Sequence, residues 1–82
     1  MQKLTQKEMA LELLKMNADR FMPAWEFVGE KHIPKAGWVL MSYKTPARLS
    51  DLYNDGLVER KLVRGRSGSQ YYAYKLVNPQ LV

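Results

Sequence analysis

Apolar positions in the first sixteen residues recur with the period of a helix. Met9, Ala10, Leu13, Leu14 and Met16 are read as one face of it. Thr5-Gln6-Lys7-Glu8 stands just ahead. In such a capping box the Thr hydroxyl and the Glu carboxylate each accept from a backbone N–H that the helix leaves unpaired. Leu4 and Met9 flank the cap as a hydrophobic staple. Leu11 falls outside the stripe, which makes it either half exposed or a contact for a partner.

Asn17 to Arg20 reads as a turn, and Phe21-Met22 as a short extended piece. Pro23 suits the first position of a second helix, running to about Val28 and ended by Gly29. Trp25, Phe27 and Val28 are expected on its buried side. From Glu30 to Ser42 the pattern is hardest to read, because Pro34 and Gly37 break any helix. Trp38-Val39-Leu40-Met41 is too apolar for surface coil and is expected to pack as an extended segment.

Thr45-Pro46 predicts a third helix, with Thr as N-cap and Pro in the first turn, or a start one or two residues earlier. Leu49, Leu52 and Tyr53 form its inward face, and Gly56 supplies the left-handed residue that ends it. Small or short side chains, Ala47, Ser50, Asp51 and Asn54, fill the opposite face, with Lys44 and Arg48 on the flank. A helix that approaches another macromolecule closely requires such a surface. Leu57 to Val63 and Gln70 to Leu76 then read as two strands joined by the loop Arg64-Gly65-Arg66-Ser67-Gly68-Ser69. Tyr72, Tyr74 and Leu76 share one side of the second strand, and Tyr71, Ala73 and Lys75 the other. Asn78-Pro79 ends the ordered part.

Eighty-two residues, 46% hydrophobic and 26% charged, fit one globular domain spanning residues 1–82. Thirteen Lys and Arg against eight Asp and Glu give a formal charge of +5. Residues 1–42 hold six cations and five acids, whereas residues 43–82 hold seven cations and three acids. Between Arg60 and Lys75 there are five cations and no acid. A polyanion is therefore expected to meet the C-terminal half. The absence of Cys excludes disulfides, thiolate metal sites and thiol nucleophiles. His32 stands alone without a second ligand at metal spacing. The glycine-rich loop lacks phosphate-cradle spacing and joins two strands, so no catalytic centre, metal or cofactor is expected. No apolar run is long enough to span a bilayer and the start lacks a secretory signal. A cytoplasmic location, away from membranes, is the expectation.

The run Ala47-Arg48-Leu49-Ser50-Asp51-Leu52-Tyr53-Asn54-Asp55-Gly56-Leu57-Val58-Glu59-Arg60, closed by Tyr74-Lys75-Leu76, resembles the winged helix-turn-helix family of small prokaryotic and viral DNA-binding regulators. The resemblance covers residues 45–76 closely. It implies an α+β winged helix, three helices followed by a C-terminal β-hairpin wing. It also implies that the third helix enters the major groove of double-stranded DNA while the wing touches the backbone. Carried over by position, the groove-facing residues are Lys44, Thr45, Ala47, Arg48, Ser50, Asp51 and Asn54. The wing contacts are Arg64, Arg66, Ser67, Ser69 and Gln70. The interval from Glu30 to Lys44 departs from the family's tight turn, and Asp51 would repel phosphate unless it accepts from a cytosine amine. Arg48 could equally pair with a nearby carboxylate. The implied function is transcription regulation or an accessory role in it. RNA ranks lower, since neither an aromatic RNP motif nor a GXXG clamp is present. The alternative is a protein-interaction module without DNA, as a homodimer or with a protein partner, motivated by Asp51, Asp55, Leu11 and residues 38–41.

Overall fold

A computed structural model describes residues 3–78. Pro79, where the ordered part was expected to end, lies outside the described residues. Helix α1 (Gln6–Met16) begins at the expected capping box: the Glu8 N–H donates to Thr5 Oγ1 at 3.2 Å and the Thr5 N–H to Glu8 Oε1 at 3.0 Å. The donated Thr5 N–H, more than any other influence, holds the Glu8 carboxyl below its ordinary value. Ala10, Leu13 and Leu14 are buried, but Met16 is 50% exposed. Met16 lies two residues past Leu14, more than half a turn around the helix, so it leaves the buried stripe. Leu11, one turn before Leu14, is half-buried and packs against the core.

The second helix does not form. Met22–Pro23 is instead a two-residue strand, β1, and Ala24–Phe27 is a single 3₁₀ turn. Six residues, from Pro23 to Val28, cannot repay helix nucleation. Pairing with the C-terminal strand offers the backbone a better partner: Met22 lies opposite Tyr74 and Pro23 opposite Ala73. The turn is clamped from outside by Arg20, whose two guanidinium nitrogens donate to Glu26 at 2.7 and 3.2 Å. Only Phe27 of the three expected apolar contacts is buried, whereas Trp25 is 58% exposed. Gly29, at φ +99°, starts a strand in place of ending a helix.

That strand, β2 (Gly29–Ile33), pairs antiparallel with β3 (Gly37–Met41). Ile33 and Met41 point inward and are buried, while Glu30, His32, Trp38 and Leu40 alternate outward. The expectation of an extended residue 38–41 segment holds, although only Met41 of its four residues is buried. Two contacts tie this hairpin to α1. Lys35 reaches Glu12 at 3.4 Å, and Gln6 Nε2 donates to Ser42 Oγ at 2.9 Å.

Helix α2 (Thr45–Asn54) has Pro46 in its first turn, but Lys44, not Thr45, is the N-cap. It ends in the left-handed turn that Gly56 was expected to supply. Gly56 has φ +79°, its N–H donates to the Tyr53 carbonyl, and the Leu57 N–H donates back to that of Leu52. Strands β4 (Val58–Arg64) and β5 (Gln70–Leu76) follow as the hairpin. The sheet order is β1-β5-β4, antiparallel throughout. α1 and α2 cover one face, and Phe27, Leu14, Leu49, Leu52, Met22, Met41, Val58, Tyr74 and Leu76 share one core there. The fold is α+β, as expected, but with two α-helices and five strands in two sheets. It is not three helices followed by a hairpin. No helix among the described residues is long and apolar enough to cross a membrane.

Leu14→Ala should cost about 2–5 kcal/mol because it opens a cavity, and Met16→Ala less than about 1 kcal/mol, read from urea unfolding. Equal losses would refute the division of α1 into these faces. Hydrogen bonding from Arg20 lowers the Glu26 carboxyl below its ordinary 4.5. Its contribution to stability is therefore present above that value and lost as pH falls through the folded one. Glu26→Gln is expected to flatten the loss of thermal stability on acidification, and an unchanged profile would remove this pair from the acid response.

Candidate functional site

The exposed side of α2 and the β4–β5 hairpin adjoin each other through one stack. Arg60 on β4 lies over the Tyr53 ring of α2, with its guanidinium carbon 4.0 Å from the centroid, and over the Tyr72 ring of β5 at 4.4 Å. The guanidinium carbon lies over both rings, an attraction between cation and ring quadrupole. The N–H edge, which carries its hydrogen-bonding capacity, makes no hydrogen bond or ion pair among the described residues. Tyr53 was expected to point inward. It is 40% exposed and lines the seam between helix and hairpin.

On α2, the helical period places Ala47, Ser50 and Asn54 along the exposed side, and all three are exposed. Asp51 sits on the flank away from Tyr53, 3.3 Å from Arg48 one turn earlier. This exposed pair is weak, yet it offsets the carboxylate that would otherwise face a polyanion. Lys44 stands exposed at the start of the helix. Thr45 departs from expectation: it is fully buried, and its Oγ1 has no hydrogen-bond partner. It neither caps the helix nor reaches its outer surface.

The hairpin separates the C-terminal cations by strand parity. Arg60, Leu62, Arg64, Gln70 and Tyr72 alternate onto the side of Val58 and Tyr74, where α2 packs. Lys61 and Lys75 alternate onto the other side. There their ammonium groups lie over the Phe21 ring at 4.4 and 5.6 Å, beside the edge-on pair of Trp25 and Tyr71 at 4.5 Å. The acid-free run Arg60–Lys75 is thus two surfaces, not one. At the tip, the Gly65 N–H donates to the Ser69 carbonyl at 2.7 Å, and Gly68 turns the chain at φ +82°. The Ser67 and Ser69 hydroxyls are hydrogen-bonded at 2.6 Å. Arg64, Arg66, Ser67, Ser69 and Gln70 are all exposed there.

Comparison with protein-family models, curated proteins and solved structures finds no match to this chain. Among the described residues no three His, Asp or Glu side chains gather as a metal site, and His32 lies edge-on to Trp38 at 5.4 Å. Of the expected residues, Ala47, Ser50 and Asn54 are exposed on α2, and Arg64 and Gln70 are exposed on the hairpin with the strand parity of Arg60. Arg60, Tyr53 and Tyr72 join them and were missed. The signal was the parity that Arg60 shares with Val58 on β4 and, once the hairpin register is set, with Tyr72 and Tyr74 on β5, which places Arg60 on the helix side.

Thr45→Val keeps the shape of the buried side chain and removes an unpaired hydroxyl. It should leave stability unchanged or raise it by up to about 1 kcal/mol, measured by urea unfolding. A loss larger than that would mean the hydroxyl is engaged.

Proposed function

We propose that this chain is a non-catalytic protein that binds duplex DNA, with α2 in the major groove and the β4–β5 tip on the phosphate backbone. The observation that supports this reading is Arg60 lying over both Tyr53 and Tyr72, because the contact ties a cation of the ribbon to the helix. An α-helix with its side chains is about 10–12 Å across, and a groove about 12 Å wide admits it. Ala47 and Ser50 let its backbone approach closely. Asn54 has the donor and acceptor pair that matches an adenine edge, and Ala47 can meet a thymine methyl. Lys44, Arg60, Arg64 and Arg66 neutralise phosphates and release counterions, which supplies affinity without sequence preference. The biological role that fits is a transcription regulator or accessory factor acting in the cytoplasm.

Protein interaction without DNA is the second reading, and one observation favours it: Trp38 and Leu40 are each 73% exposed on a separate sheet. The two readings rest on different surfaces, and DNA binding separates them.

Mobility shift with a mixed-sequence duplex at two salt concentrations tests the DNA reading. Arg64→Ala with Arg66→Ala should weaken binding to every sequence and reduce the salt slope by about 2, close to one per lost phosphate contact. Arg60→Gln should act in the same direction. Lys61→Gln with Lys75→Gln, on the opposite side, should leave binding almost unchanged, while Asn54→Ala should alter preference among sequences. No binding at low salt, or a lysine pair as costly as the arginine pair, would overturn the proposal.

A further inference from the structure

We infer that β3 is the dimerisation edge of this protein and that its occupant is β3 of a second copy, paired antiparallel about a two-fold axis at Val39. Strand β3 is hydrogen-bonded along one edge only, to β2, and no other strand pairs with it among the described residues. Proteins normally guard such an edge with a charge, a proline or a bulge. β2 carries Glu30, Lys31 and His32, and Pro34 follows it, whereas Gly37-Trp38-Val39-Leu40-Met41 carries none of these. The unguarded edge is therefore β3.

Charge permits a second copy as the occupant, and the side-chain match under the two-fold selects it. Two chains of formal charge +5 repel wherever their cations face each other. Residues 36–43 form an eight-residue segment with no charged side chain, so two copies meeting there bring no cation against another. The nearest lysine on the β2 side of the segment, Lys35, is already held by Glu12 at 3.4 Å.

Side-chain sizes also match under the two-fold. Centring on Val39 places Trp38 opposite Leu40 of the second copy and Gly37 opposite its Met41. The two exposed large side chains of each strand become two aromatic–aliphatic cross-strand pairs. Within each copy His32 already lies opposite Trp38 and Glu30 opposite Leu40. The resulting four-stranded sheet has its apolar pairs in the middle and its polar residues on the outer strands, the usual layout of an interface. The contact is isologous and closes on itself, so it stops at a dimer. Only Ser42, Tyr43 and Lys44 separate β3 from α2. The same axis would therefore fix the spacing between two α2 helices, although the dimer itself does not depend on DNA binding.

Light scattering of the whole chain across a wide concentration range tests this inference. The mass of the unaltered protein should rise from one chain toward two. Leu40→Lys, at a position already exposed, should remain monomeric at the same concentrations, with a thermal unfolding curve unchanged from that of the unaltered chain at dilutions where both are monomers. Arg64→Ala with Arg66→Ala should dimerise like the unaltered chain, which separates this result from the DNA reading. Amide exchange within residues 37–41 should slow as the dimer fills. A monomer at every concentration, equal dimerisation of Leu40→Lys, or a dimer that leaves exchange in residues 37–41 unaltered would overturn the inference.

Discussion

Strand β5 lies at the centre of its sheet, between β1 and β4, and its two-residue period organises the molecule. Tyr74 and Leu76 point into the helical core, while Ala73, pointing the other way, is buried as well. Because β1 occupies one edge, Met22 and Pro23 are committed to a ladder and are lost to any helix. Because β4 occupies the other, the register with β5 decides which cations stand beside α2. A slip of one residue would carry Lys61 to the α2 side and take Arg60 away from Tyr53. The candidate site is therefore a consequence of strand pairing as much as of the helix that presents it.

The elements legible in the sequence are those whose signals are local. Thr5 and Glu8 start α1 from within one turn, and Gly56 ends α2 by its own backbone conformation. Residues 23–37, between the extended pieces read at Phe21-Met22 and at 38–41, were not legible because their structure is decided by partners far along the chain. Pro23 is compatible with a helix start or an edge strand, and its pairing with Ala73 resolves the choice. Trp25 and Trp38 misled differently, since their size argues for burial while the structure leaves both largely exposed. In the site, the exposed α2 residues and the tip arginines could be read from spacing, but the partners of Arg60 required the register. Thr45 looked like a cap because it precedes Pro46, but the helix starts with it and the turn packs it inward.

Ion pairing sorts the charge by region. Lys7, Lys15, Arg20 and Lys35, all in the first half of the chain, are paired with Asp55, Glu12, Glu26 and Glu12. Burial pushes the Glu12 carboxyl up, but the ammonium groups of Lys15 and Lys35 outweigh it and the carboxyl is lowered. In the second half only Arg48 is paired among the described residues, with Asp51. Lys44, Arg60, Arg64 and Arg66 thus keep their charge uncompensated by a contact. Four of the six cations of the N-terminal half are thus engaged by carboxylates, and more of the uncompensated positive charge lies around α2 and the hairpin.

Helix and tip are held with different firmness, and on the proposed DNA reading this divides their roles. α2 is tethered to α1 at both ends: just before its start Gln6 donates to Ser42, and at its close Lys7 meets Asp55 at 2.6 Å. Its middle is fixed by Leu49 and Leu52, both fully buried, and its last turn by Tyr53 under Arg60. Side chains on so fixed a helix lose little further freedom on binding, which favours discrimination between base edges. Residues 65–69 have only two backbone hydrogen bonds and one pair of serine hydroxyls to hold them. A looser loop can follow the phosphate backbone of many sequences. Preference among sequences should therefore reside in Ala47, Ser50 and Asn54, with affinity common to all sequences residing in Arg64 and Arg66. Arg60 belongs to both, since its rings hold it as firmly as the helix while its charge serves any phosphate.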